Sequence, residues 1–185
     1  MVPGAVTAQG WARLVVLLSA TAILQVAVLD GIVIGGAHPD AFLALAIASG
    51  LVGGAQRGAL VAFLAGLVAD LFVITPFGLT SLCFVLVAFT AGVASGLSGG
   101  RAPYSFKVVT AAIGGVAATL LYSLAASLIG QPDLARHELA AVALVVAAGC
   151  AVLVLPYGAA ISWALGAEAS GERRLSAATG GRATR

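Results

Sequence analysis

The sequence predicts an all-α integral membrane protein with six transmembrane helices. Three observations carry that prediction. Of 185 residues, 61% are apolar and only 9% charged, whereas soluble domains run at about 45–50% and about 25%. Mean hydropathy is +1.12. The apolar residues form long continuous runs, not the period-two alternation of an outer-membrane barrel. Nine basic and seven acidic side chains cannot solvate a globule of this length, which excludes a soluble enzyme. Low hydrophobicity with high charge, the signature of disorder, is the reverse of what the chain has.

Six segments follow in order. The first covers residues 14–29 and continues past Asp30 to about Val33. At sixteen residues it exceeds the about 7–15 of a secretory signal's apolar region, so it is expected to stay as a helix. The second, 41–52, is short and lies between Pro39-Asp40 and the Gly53-Gly54 pair. The third, 58–75, is interrupted by Asp70. The fourth, fifth and sixth are 79–97, 108–129 and 139–166. Residues 1–167 therefore form the membrane domain, and 168–185 read as a flexible basic cytoplasmic tail. Its four arginines could touch anionic lipid or simply anchor the topology.

Charge sets the orientation. With six crossings and the N-terminus inside, eight of the nine cationic residues are cytoplasmic, and Arg136 alone is outside. Asp30, Asp40, Asp70, Asp133 and Glu138 lean outward, against Glu168 and Glu172 inside. Trp11, Tyr104 and Trp163 fall at the inner interface, where an aromatic belt belongs. The expected topology is multi-pass, with both termini cytoplasmic. A net charge of +2 gives no case for nucleic acid.

Few residues could carry chemistry. Cys83 and Cys150 sit in apolar runs and read as small buried hydrophobes. No phosphate-binding loop and no H-E-x-x-H motif is present, and nothing calls for a metal or cofactor. Gly96-Leu97-Ser98-Gly99 matches the G-x-S-G of rhomboid proteases. A serine nucleophile needs a base within reach, however, and both histidines, His38 and His137, lie in loops on the opposite side.

Small residues recur at four-residue spacing: Gly31/Gly35, Gly50/Gly54, Gly54/Gly58 and Gly92/Gly96. In lipid, helices associate through such close backbone approaches. The longest row is Gly58, Ala62, Gly66, Asp70 on one helical stripe. Asp70 is the most informative residue. It lies twelve residues past Gly58, about 18 Å along a helix, in the outer half of a hydrocarbon core about 30 Å thick. Three roles are open to it: a proton or ion site, a polar contact with a partner subunit, or a carboxylate that caps backbone N–H groups of the Thr75-Pro76-Phe77-Gly78 turn. Pro156 frees the Val152 carbonyl and predicts a kink in the sixth segment.

The run from Gly58 to Gly78 resembles the core signature of the rod shape-determining protein MreD family. The resemblance rests on Ala62-Phe63, Gly66, Asp70 and the Thr75-Pro76-x-Gly78 turn, with Pro39-Asp40 before them and Gly92 after. It covers Pro39 to Gly92, with Ala62 where the family often has Gly. It implies a six-helix fold similar to the substrate-binding components of energy-coupling-factor transporters. It also implies a non-catalytic scaffold that binds MreC beside the RodA–PBP2 peptidoglycan synthase and MreB filaments. Candidate interaction residues are then Pro39, Asp40, Gly58, Phe63, Gly66, Asp70, Thr75, Pro76, Gly78 and Gly92. The rival is a substrate-binding subunit of a vitamin-type transporter, with Asp70 and the Pro156 kink lining a midplane pocket. Against it, the membrane segments hold few polar side chains for a ligand site.

Overall fold

The computed structural model describes residues 8–34, 36–72, 78–98, 103–128 and 139–180. The chain is helical throughout these residues, apart from short turns and an isolated bridge between Ile34 and Ala37. Five helices follow one another: α1 (Ala8–Leu24), α2 (Ala41–Asp70), α3 (Leu79–Leu97), α4 (Tyr104–Leu128) and α5 (Leu139–Gly180). Among the described residues, five helices are long and apolar enough to cross a membrane, as a multi-pass membrane protein requires.

The difference between six expected segments and five helices lies in α2. Helical hydrogen bonding is assigned from Ala41 to Asp70, but Gly54 inside it has φ 78° and ψ 177°, which no helix contains. The chain doubles back there. Ser49 Oγ donates to the Gly58 carbonyl at 3.0 Å, across nine residues, where a straight helix would separate them by about 13 Å. The rings of Phe42 and Phe72, near the two extremes of α2, stack at 6.3 Å. Thus α2 is a helical hairpin whose arms, 41–53 and 55–70, are about 20 and 24 Å long. Only glycine takes a positive φ at no steric cost, and Gly53-Gly54 marks the reversal in the sequence.

Ends of the other helices sort to the two ends of this hairpin. At the Gly54 end, Leu51, Ser95, Lys107 and Ser162 line one cavity, and Arg13 Nη1 donates to the Trp163 carbonyl at 3.1 Å. The Arg13 guanidinium also lies 4.6 Å from the Trp163 ring centre, and Lys107 Nζ lies 5.7 Å from that of Tyr104. At the Asp40 end, Thr80, Tyr122 and Val142 share another cavity with Asp40. Arg13, Lys107 and the aromatic belt therefore gather at one end, as the charge pattern anticipates.

Several helix ends differ from the expected ones, among them the start of α4 at Tyr104 instead of 108. α1 starts at Ala8 and passes into a π turn at Gln25–Leu29, where the Asp30 N–H donates to Gln25 O at 2.9 Å. The third segment stops at Asp70 instead of 75. α5 runs on to Gly180, through most of the expected tail. Residues 168–180 are rich in Ala, Glu, Arg and Leu, which favour helix. Pro156 lies inside α5 without ending it. Cys83 and Cys150 are free and buried, as small apolar side chains would be. Thr75, Pro76, Gly35, Asp133, Arg136, His137 and the chain beyond Gly180 lie outside the described residues.

Candidate functional site

The described residues behind the MreD resemblance converge on the α2 hairpin and α3. The hairpin carries the most completely buried run of the chain, from Ala41 to Leu51. Its second arm buries the stripe Gly58, Val61, Ala62, Ala65, Gly66, Ala69 and Asp70. Glycine is required at each close approach. A Cβ on Gly58 would come closer than 3.0 Å to the backbone of Gly50 and Ser49, which is arm against arm. One on Gly66 would strike the Ser81 backbone, and one on Gly92 would lie 2.5 Å from Ala55 N at the reversal. Gly50 meets the carbonyl of Ala88 in the same way. Gly96, by contrast, has nothing within 4 Å, and Gly31 only ordinary contact. Of the eight described glycines in the recurring spacings and motif, four therefore sit where two backbones touch.

Polar side chains tie this unit at both ends. Ser95 Oγ donates to Leu51 O at 2.9 Å, which satisfies a carbonyl in the last turn of the first arm. Asp70 is 3% exposed. Its Oδ2 accepts from Gly78 N–H at 2.8 Å and from Ser81 Oγ at 3.3 Å. Gly78, at φ 99°, precedes the first turn of α3. Of the three roles open to Asp70, the geometry supplies the backbone-capping one: its carboxylate closes the connection from α2 to α3. Phe63 is 44% exposed and points away from the unit.

Asp40 has a separate job. It is the N-cap of α2, with Oδ1 accepting from Leu43 N–H at 2.9 Å. Burial raises its carboxyl above the ordinary aspartate range, against the opposing pull of the Leu43 and Phe42 N–H groups. Its neighbours are held by Gln25, which the sequence shows only as an isolated polar residue in an apolar run. Gln25 Oε1 accepts from Ala41 N–H at 2.8 Å, and Nε2 donates to Pro39 O at 3.3 Å and to Asp30 Oδ1 at 2.8 Å. One amide thus clamps the backbone on both sides of Asp40, and the π turn begins at that residue. Pro39 is held from its other face by α5, where a Cβ on Gly149 would come within 2.8 Å of the Pro39 ring. Gln25→Leu is expected to lower stability by about 1–3 kcal/mol, because it strands the Ala41 N–H and Pro39 C=O. A thermal melt in detergent reads the loss, and an unchanged melting temperature would remove the clamp from this account.

The pocket expected of a transporter is not assembled as foreseen. Pro156 lines a cavity of about 210 Å³ against Thr21 and Leu24 of α1, whereas Asp70 is engaged at the α2–α3 turn. Ser98 Oγ donates to Ala94 O at the Gly54 end of α3, and His38 lies two residues from Asp40 at the other end. Among the described residues, no cluster of three or more His, Cys, Asp or Glu could hold a metal ion. Comparison with protein-family models, with curated proteins and with solved structures returns no match.

Proposed function

We propose that this chain is a non-catalytic membrane scaffold of the MreD type. In this reading it binds MreC in a bacterial plasma membrane and helps position the RodA–PBP2 synthase near MreB filaments. One observation carries the reading. Gly58, Gly66, Asp70, Gly78 and Gly92, which make the sequence resemblance, are the residues that build one packed unit. A motif spent on close packing suits a protein that offers shaped surfaces. Such surfaces are available: Leu82, Leu86, Phe89 and Val93 form an outward apolar stripe on α3, and Val109, Ile113, Leu120 and Leu124 form another on α4. Either could take lipid or a partner's single membrane helix.

Six crossings with both termini cytoplasmic, and kinship with the energy-coupling-factor substrate-binding fold, belong to the same proposal. The return of α2 at Gly54 and the contact between Arg13 and Trp163 support an even number of passes. The cations at that end favour the cytoplasmic side. The rival reading, a vitamin-type transporter subunit, draws on the cavity beside Asp40. Purification from native membranes separates the two: a scaffold brings MreC with it, and a transporter subunit brings an ATPase pair.

A further inference from the structure

The cavity at the Asp40 end lies among the start of α2, the first turns of α3, and facing positions of α4 and α5. Its volume is about 230 Å³, below the about 300–1,000 Å³ of drug-sized sites. Most of its wall is apolar, with Phe84, Ala118 and Val146 among the contributors. Among the described residues, Asp40 is its one charged side chain, and no Lys, Arg or His lines it. A carboxylate in such a wall is stabilised by a cation or by hydrogen-bond donors. Leu43 N–H satisfies one oxygen. The hydroxyls of Thr80 and Tyr122 also line the space, and neither makes a hydrogen bond among the described residues. The Gln25 clamp holds the backbone on both sides of Asp40, so the carboxylate is positioned before any ligand arrives.

We propose that this cavity binds a small hydrophobic amine, its ammonium on Asp40 and its apolar body against Phe84 and Val146. The wall discriminates by charge. An anion of the same shape meets Asp40 with like charge, and a neutral alcohol keeps a hydrogen bond to the carboxylate but forgoes the ion pair. The site uses none of the glycine contacts that carry the scaffold reading; it shares Asp40 with the sequence resemblance and its cavity with the transporter reading.

The test uses the full chain in lipid nanodiscs and three probes of similar shape: 2-phenylethylamine, 2-phenylethanol and 3-phenylpropionate. Calorimetry gives affinity. Cys83, which lines the cavity, reports location through its rate of modification by a small thiol reagent in a Cys150→Ala background. The amine is expected to bind about tenfold more tightly than the alcohol, the scale of one charged hydrogen bond, and to slow modification of Cys83. Asp40→Asn keeps the N-cap and should remove the amine's advantage. Ala118→Leu, which fills the cavity, should abolish protection of Cys83 even if Asp40→Asn folds poorly. Equal affinity for amine and alcohol, or amine binding unchanged in both variants, would overturn the proposal.

Discussion

Gly50→Ala should leave little folded protein. The added methyl would lie against the Ala88 carbonyl, with the Ala88 Cα only 3.2 Å away. Backbone cannot rotate aside as a side chain can, so the first arm of α2 and α3 must part. The expected cost is about 3 kcal/mol or more, at the upper end for overpacking. Opening this contact also disturbs Gly58, whose neighbour across the hairpin is Gly50 itself. Gly96→Ala is the matched control on α3: it meets nothing within 4 Å and gains up to about 1 kcal/mol of helix propensity. Size-exclusion profiles and melting curves of the two variants read the contrast. Similar behaviour of both would mean that the helices do not pack through Gly50.

Asp70→Ala should be the most damaging change of a polar residue, and Asp70→Asn should be mild. Alanine strands the half-buried Gly78 N–H and the buried Ser81 hydroxyl, at on the order of 1–3 kcal/mol. Asparagine keeps an acceptor oxygen in the same place and removes the insertion cost of a charge in the membrane. Asp133→Ala, at an acid that the sequence places between two apolar segments, serves as the comparison. A capping role orders the variants wild type ≈ Asn > Ala in melting temperature. If asparagine were as harmful as alanine, the negative charge itself would matter, and an ion or proton role would return.

Glycine and aspartate made most of the packed unit legible before any coordinates. Gly53-Gly54 broke an apolar run, and a reversal is what a lone positive-φ glycine permits. Asp70 lay eight residues before Gly78, within reach of the turn that its carboxylate then caps. The Gln25 clamp was not legible. Its backbone partners are 14 and 16 residues away, and an isolated glutamine in an apolar run has the same appearance whether it is clamped or solvated. Neither was the cavity, whose lining comes from four helices at positions with no common spacing. Gly115 and Gly149, which meet Ala147 and Pro39 closely, have no second glycine four residues away, so that spacing does not single them out. Periodicity shows which residues share a face of one helix. It does not show which helix comes to meet that face.

The measurement that bears most directly on the scaffold proposal is affinity purification of the tagged chain from native membranes in mild detergent, with mass spectrometry of what accompanies it. A wall-elongation scaffold should bring MreC and the RodA–PBP2 pair. Recovery of a paired ATPase and coupling subunit, without MreC, would contradict the scaffold and make this chain a transporter component.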